Sequence, residues 1–225
     1  MAITDVQQTA IQIVNRVQRK IGVDQTTGLG GTRHSHVLLD LLNEVVSDLG
    51  DLGDWQEMFR EIDTTAVSSV ADYEINVTAA VVVHHVHEIR YDTSTSPMFV
   101  RSIEDIRRLD RPRRYGESRH FAIVGQGTAG NPKFRVSPVP TSAIQYHVAF
   151  YEKPVIYTTA DSSTRIPFPG DVLFQGVYAK ALLEESEGVE TPQYVGAYRE
   201  YERMKRQALA RQTSDTGTDI NLVPG

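Results

Sequence analysis

The sequence predicts an α+β protein, with terminal helices packed as a helical bundle and an inserted antiparallel β-sandwich-like lobe. Apolar residues recur with a helical period in residues 1–59 and 165–212, whereas they alternate with a period of two in between. Such segregation of helices and strands favours α+β over alternating α/β. We therefore predict a helical domain from residues 1–59 and 165–212, a β lobe from 60–164 and a C-terminal tail from 213–225.

Two amphipathic helices are predicted at the start of the chain. Thr4 can cap the first, which runs to about Ile21 and ends at Gly22. The second helix opens at Ser35 and ends at Gly50, with an inward apolar stripe of Leu38, Leu41, Leu42, Val45 and Leu49.

Strands are predicted from about Arg60 onward, because the segments there are rich in Val, Ile, Tyr and Thr. One short helix interrupts them, from a capping-box-like start at Ser102 to a stop at Pro112. The predicted strands lie in FREIDTTAV, DYEINV, VVVHHVHEIRY, RHFAIV, KFRVSP and AIQYHVAFY.

A helical hairpin is predicted from Arg165 to Gln212. Pro169 suits a helix start, Gly188 ends the first helix, and Thr191 can cap the second. The two apolar stripes are Leu173, Phe174, Val177, Tyr178, Ala181 and Leu182, then Tyr194, Ala197, Tyr198, Tyr201, Met204 and Ala208.

Composition excludes several kinds of function. The net charge of −6 argues against a protein that coats DNA, since duplex binding depends on neutralising phosphates. Without cysteine there is no disulfide, thiolate nucleophile or Cys-based metal site. No apolar run approaches the ~20 residues that a membrane span requires.

Two motifs that could indicate a ligand have simpler interpretations. Gly125, Gly127 and Gly130 match G-x-G-x-x-G, but a strand follows them instead of a helix, which predicts a hairpin loop. The glycine-rich connector DQTTGLGGTRH lacks the Lys-Ser/Thr ending of a phosphate-binding loop and is interpreted as a flexible linker.

Two charged clusters could also indicate a ligand site. His84, His85 and His87 do not converge on one face of a strand, so we expect no metal site there. The strongest basic run is either a phosphate-contacting patch or, more favoured, a solvated loop or a set of salt bridges to a neighbouring acidic subunit. It comprises Arg107, Arg108, Arg111, Arg113 and Arg114.

The order of these segments resembles one family over nearly the whole chain. This family is the head-to-tail adaptor, or connector, proteins of short-tailed bacteriophages, also called tail tubular protein A-like proteins. The resemblance is carried by LLDLLNEVVSDL and by AFYEKPVIYTTADSSTRIPFPGDVLFQGVYAKALLEESE. The second block joins a strand ending in Tyr-Glu-Lys-Pro, a Ser/Thr-rich loop, and Pro-Phe-Pro before an alanine-containing helix.

The resemblance implies a structural virion protein of the tail or neck region, made in the host cytoplasm. Such adaptors form a ring, usually of twelve subunits, between the portal and the tail nozzle. The helical part contacts the portal, and the β lobe faces the nozzle and tail fibres. DNA passes through the channel without sequence-specific binding. The resemblance implies no enzymatic activity and no cofactor.

Two sets of residues are predicted to mediate assembly. The tail carries apolar residues that alone could not offset the entropy of ordering it, which favours docking on a partner. The tyrosines of the last helix suit a subunit interface, but they fit an intramolecular core equally well. The predicted portal-binding residues are Arg203, Lys205, Arg206, Arg211, Asp219, Ile220, Asn221, Leu222 and Val223, and the predicted subunit-interface residues are Tyr194, Tyr198 and Tyr201.

Two other classes of function remain open from the sequence. One is a receptor- or glycan-binding β module of a phage tail, which binding of glycans by the isolated monomer would favour. The other is a metal- or nucleotide-dependent enzyme, which bound metal in the purified protein would favour. The second is the weaker alternative, because no catalytic residues occur at a convergent spacing.

Overall fold

The chain folds into a helical unit and a β unit in a computed structural model that describes residues 7–77, 81–92, 94, 96–127 and 130–215. The helical unit combines residues up to 57 with those from 156 onward, and the β unit is the continuous stretch 58–155. Helices and antiparallel or mixed sheets are both present, which confirms the α+β prediction. In chain order the elements are β1 (Gln7–Thr9), α1 (Ala10–Ile21), α2 (Arg33–Gly50), β2 (Phe59–Thr65), β3 (Asp72–Glu74), β4 (Val83–Tyr91), β5 (Phe99–Val100), α3 (Ile103–Leu109), β6 (His120–Gln126), β7 (Pro132–Ser137), β8 (Gln145–Glu152), β9 (Arg165–Pro169), α4 (Gly170–Glu185) and α5 (Pro192–Asp215).

The predicted boundary at residue 165 falls nine residues too late, because residues 156–164 belong to the helical unit. The side chain of Asn43 on α2 fixes this segment at Tyr157. Its amide nitrogen donates to the Tyr157 carbonyl at 2.9 Å, and its oxygen accepts from the Tyr157 N–H at 2.8 Å. This double hydrogen bond satisfies both backbone groups of Tyr157 against α2.

The first helix begins later than predicted. Residues Gln7–Thr9 form β1, which pairs antiparallel with β9, so a helix that starts after Thr4 is wrong. Thr9 is the N-cap instead, and it exchanges hydrogen bonds with Gln12 in a capping box. The helix ends at Gly22 as predicted, with a left-handed φ of 80° that glycine adopts without strain.

Helix α4 lies at the centre of the helical unit and packs against α1, α2 and α5. Its position requires glycine at residue 176, because a Cβ there would lie 2.8 Å from both Tyr201 and Val45. Trp55 completes this core. It is fully buried, its indole N–H donates to the Leu49 carbonyl at 2.8 Å, and its ring meets Phe168 edge-on at 5.0 Å.

The glycine-rich connector between α1 and α2 is not the bare flexible linker that was predicted. The Asn15 side chain brackets Thr26, with its oxygen accepting from the Thr26 N–H at 2.9 Å and its nitrogen donating to the Thr26 carbonyl at 3.1 Å. Leu29 is fully buried. The connector is therefore held by side chains of α1 and by its own leucine.

The β unit contains two sheets with a shared core. One has the order β2-β8-β4, and the other has the order β3-β7-β6-β5. Aromatic residues dominate the core between them, including Tyr73, Phe121, Phe134, Tyr146 and Phe150. The pairs are antiparallel except for β5 and β6, which run parallel, so the second sheet is mixed instead of purely antiparallel.

No helix in the described part of the chain is both long and apolar enough to cross a membrane.

Candidate assembly surfaces

The basic end of α5 is partly neutralised within the helix itself. Arg203 donates to the Glu200 carboxylate through two nitrogens, at 2.8 and 2.5 Å. Lys205 pairs with Glu202, and its ammonium lies 5.1 Å from the centre of the Tyr201 ring. These two cations therefore present less free charge to a partner than their number in the sequence implies.

Arg206 and Arg211 are exposed further along the same helix. The remaining predicted portal-binding residues, Asp219 to Val223, lie outside the described residues. The structure thus places the four basic residues on one helix.

The three tyrosines of α5 have different environments. Tyr194 and Tyr198 stack at a centroid distance of 5.7 Å, and Tyr198 is 42% exposed. Tyr201 is only 3% exposed and packs against α4 at Gly176. Burial raises the pKa of the Tyr201 hydroxyl, which has no hydrogen-bond partner among the described residues. Tyr201 therefore belongs to the core of the subunit, whereas Tyr194 and Tyr198 remain available at its surface.

The arginines of the basic run predicted from the sequence are all exposed on the β unit, and so is one arginine that precedes β6. We call this set the arginine surface: Arg107, Arg108, Arg111, Arg113, Arg114 and Arg119. Of these six arginines, only Arg119 reaches a carboxylate among the described residues, that of Glu117 at 3.7 Å. Arg113 donates to the Ser69 carbonyl at 2.7 Å. The arginine surface therefore carries positive charge that the subunit leaves mostly uncompensated.

A cavity of about 350 Å³ opens within the arginine surface, and its lining includes Arg114, Arg119 and His120. Burial, together with the charges of Arg101 and Arg119, lowers the pKa of His120. Both causes disfavour the charged form of this imidazole.

Apolar side chains border the same surface. Phe99 and Val100 on the edge strand β5 are 63% and 67% exposed, and Tyr115 is 53% exposed. The Phe99 ring lies 5.7 Å from that of His120, which joins these side chains to the cavity. Exposed aromatic residues among arginines are typical of protein interfaces.

A second charged surface lies on α2 in the helical unit. We call it the acidic stripe: Asp40, Glu44 and Asp48, which recur every four residues on one helix face. Lys180 contacts Glu44 at 2.8 Å and Asp48 at 3.5 Å. Burial would lower the pKa of Lys180, but the hydrogen bond to Glu44 and the two carboxylate charges outweigh it, so this pKa is raised.

The remaining motifs have structural explanations. The glycine motif begins in β6 and ends before β7, which pair antiparallel, and the Gly127 N–H donates to the Asn131 carbonyl at 2.6 Å, which confirms the hairpin. His85 stacks on Tyr151 with centroids 5.1 Å apart. In the part of the chain that the structure describes, no three His, Asp or Glu side chains are grouped to hold a metal ion.

Sequence reasoning missed the acidic stripe and the exposed edge strand β5. The first had a readable signal, because three carboxylates at four-residue spacing inside a predicted helix must share a face. The second had none, because Phe99 and Val100 form only a two-residue strand whose partner β6 begins twenty residues later.

No curated protein matches the chain significantly. The family model described as "SU10 adaptor protein" matches residues 8–222, which is nearly the whole chain and both of its units. The predicted resemblance to phage adaptors is confirmed at this level. The chain therefore belongs to the SU10 adaptor protein family, whose members are structural adaptor proteins of bacteriophage particles and not enzymes.

Proposed function

We propose that this protein is a head-to-tail adaptor that forms a ring between the portal and the tail nozzle and lines part of the DNA channel. The observation that carries the proposal is the family match over residues 8–222. The proposed ring has twelve subunits, as in the adaptors of short-tailed phages that the sequence resembles. DNA passes through it without sequence-specific binding.

The architecture supports a role in assembly. A closed ring of identical subunits requires two different surfaces on each subunit, one for each neighbour. The described residues offer two separate exposed surfaces of opposite charge, the arginine surface and the acidic stripe. Tyr194 and Tyr198 provide additional aromatic area for a subunit interface.

The proposed portal contact combines the end of α5 with the tail from Asp219 to Val223. Arg206 and Arg211 are exposed on that helix. Arg203 and Lys205 contribute less, because each already contacts a carboxylate one turn away. In this proposal the helical unit contacts the portal, and the β unit faces the nozzle and tail fibres.

The experiment is a light-scattering mass measurement of the 25.1 kDa protein, alone and mixed with isolated portal rings. We expect a stoichiometric complex in which many copies join one portal. A protein that stays monomeric at every concentration and ignores portal rings contradicts the proposal and favours the receptor- or glycan-binding alternative.

Deletion of residues 216–225 tests the portal contact separately. We expect the truncated protein to keep its thermal unfolding midpoint and to lose portal affinity. The double variant Arg206→Ala/Arg211→Ala should weaken the complex as well, whereas the matched variant Arg19→Ala/Arg165→Ala, at two other exposed arginines, should not. Equal affinity of the truncated and full-length proteins contradicts the assigned contact.

A further inference from the structure

We infer that the arginine surface of one subunit docks on the acidic stripe of a second copy of this chain. The inference rests on the proposed ring and deepens it, because it assigns the two faces through which neighbouring subunits meet. The first reason is charge. Between Pro97 and His120 seven arginines accompany four carboxylates, although the whole chain carries −6.

Two of the four carboxylates in this segment accept hydrogen bonds from hydroxyl groups. Asp105 accepts from Ser102 at 2.8 Å, and Asp110 accepts from Ser137 at 2.7 Å. Glu117 is the only carboxylate that one of the six arginines reaches in the described residues. The positive charge is therefore available for a partner.

The acidic stripe carries an excess of negative charge. The side chains of Glu44 and Asp48 are 57% and 53% exposed, although both contact Lys180, and Asp40 is exposed as well. Like charges at four-residue spacing destabilise a helix. Arginines from a neighbouring subunit reduce that repulsion, because they add positive charge to the single Lys180 that Glu44 and Asp48 share.

A second copy of the chain fits the arginine surface better than DNA does. The exposed apolar side chains Phe99 and Val100 at its border have no counterpart on a phosphate backbone, whereas a protein surface can bury them. Four carboxylates interspersed among the arginines also repel phosphates. A heterologous contact between two unlike faces is the type that closes into a ring.

Charge reversal tests the inference. The variant Arg107→Glu/Arg108→Glu/Arg111→Glu makes both faces acidic, and the variant Asp40→Lys/Glu44→Lys/Asp48→Lys makes both faces basic. Each variant alone should require at least roughly tenfold more protein to form the ring, because neighbouring faces repel each other. An equimolar mixture of the two should restore assembly, since each reversed face then meets its complement.

The control variant is Arg19→Glu/Lys153→Glu/Arg165→Glu, which changes the net charge equally at three other exposed positions. We expect it to assemble as the unmodified protein does. If the control loses assembly to the same extent, or if mixing the two reversed variants restores nothing, the inference is wrong.

A second measurement does not depend on reversed charges. The chain has no cysteine, so Glu44→Cys/Arg108→Cys introduces the only two thiols. Mild oxidation of assembled rings should produce a ladder of covalent multimers, which the control Glu44→Cys/Lys153→Cys should not produce. Monomers alone from the first variant contradict the inference.

The outcomes separate the two proposals. If the unmodified protein forms rings and the arginine variant forms them equally well, the inference fails while the proposed function stands. If the arginine variant loses only affinity for duplex DNA, the surface binds nucleic acid and the inference fails as well. If the unmodified protein forms no ring, alone or on a portal, both fail.

Discussion

The helical unit and the β unit are stabilised by contacts of different range along the chain. In the helical unit, Arg16 pairs with Asp171 at 2.9 Å, and the Gln56 N–H donates to Gln212 at 3.2 Å, so that residues from both ends of the sequence must meet. The β unit, by contrast, is built from one continuous stretch of the chain, residues 58–155. Because each unit is compact by itself, we predict that a core substitution in one unit leaves the stability of the other nearly unchanged.

The largest expected effect comes from truncating a buried ring in either unit. Phe168→Ala should lower the free energy of unfolding of the helical unit by about 3–5 kcal/mol, because the ring is fully buried against Trp55. Phe134→Ala should cost the β unit a similar amount. Hydrogen exchange followed peptide by peptide measures both, with Trp55 fluorescence as an independent probe of the helical unit.

Each substitution is the control for the other. Loss of hydrogen-exchange protection in both units after either substitution would contradict the predicted independence, since it would show that the two units unfold together.

The next effect concerns the spacing of helices in the helical unit. Gly176→Ala should destabilise it by about 1–3 kcal/mol, because the added Cβ meets Tyr201 and Val45 at 2.8 Å. The matched change Gly196→Ala should stabilise it by about 0.5–1 kcal/mol, because this exposed α5 position has open space and alanine favours helix. Urea unfolding followed by Trp55 fluorescence measures both. Effects of the same sign would contradict the packing described for α4.

A smaller effect distinguishes two buried tyrosines. The Tyr146 hydroxyl lies 2.7 Å from the Ser118 hydroxyl, which itself donates to the Pro138 carbonyl at 2.8 Å, so Tyr146 is the donor of the pair. Tyr146→Phe should cost the β unit about 0.5–1.5 kcal/mol.

Tyr201→Phe should have no cost or a slight gain in the helical unit, since its hydroxyl is buried without a partner in the described residues. Urea midpoints of the two variants measure the contrast. A comparable loss from Tyr201→Phe would mean that its hydroxyl has a partner in solution.

The last effect is the dependence of stability on the protonation of buried tyrosines. It is the smallest effect near neutral pH and becomes larger in alkaline solution. Burial raises the pKa of Tyr73, Tyr91 and Tyr146 in the β unit and of Tyr201 in the helical unit. A tyrosine with a raised pKa in the folded state stays protonated after the unfolded chain has lost its proton. Its stability contribution is therefore complete below about pH 10 and decreases as the pH rises from there.

We expect the β unit to lose more stability than the helical unit between about pH 10 and 12, because three of these four tyrosines lie in it. Urea unfolding across that range measures the difference, and Tyr146→Phe should reduce the slope. A steeper loss in the helical unit would contradict this assignment.

The sequence predicted those parts of the fold that depend on nearby residues. The stop at Gly22 and the cap at Thr191, whose hydroxyl accepts from the Tyr194 N–H at 3.2 Å, involve contacts within one turn, and both are confirmed. Strand β1 could not be predicted, because Gln7–Thr9 has no alternating apolar pattern. It is a strand only because β9, far along the chain, pairs with it.

The same distinction applies to the candidate surfaces. Five of the six residues of the arginine surface form a closely spaced run in the sequence, and their exposure follows from their charge. Whether Tyr201 faces a neighbour or the core was undecided, because its stripe on α5 allows either. Tyr201 faces the core because Gly176 on α4 has no side chain and so leaves room for the Tyr201 ring.

The order of the two units along the chain has a consequence for synthesis on the ribosome. The β unit is complete once Val155 has emerged, whereas the helical unit must wait for α5, whose Gln212 contacts residues near Trp55. Domains fold as they leave the ribosome, so the β unit should form first while the N-terminal helices lack their partners. A nascent chain thus presents the arginine surface before its acidic counterpart is finished, and only a fully translated subunit carries both faces for assembly.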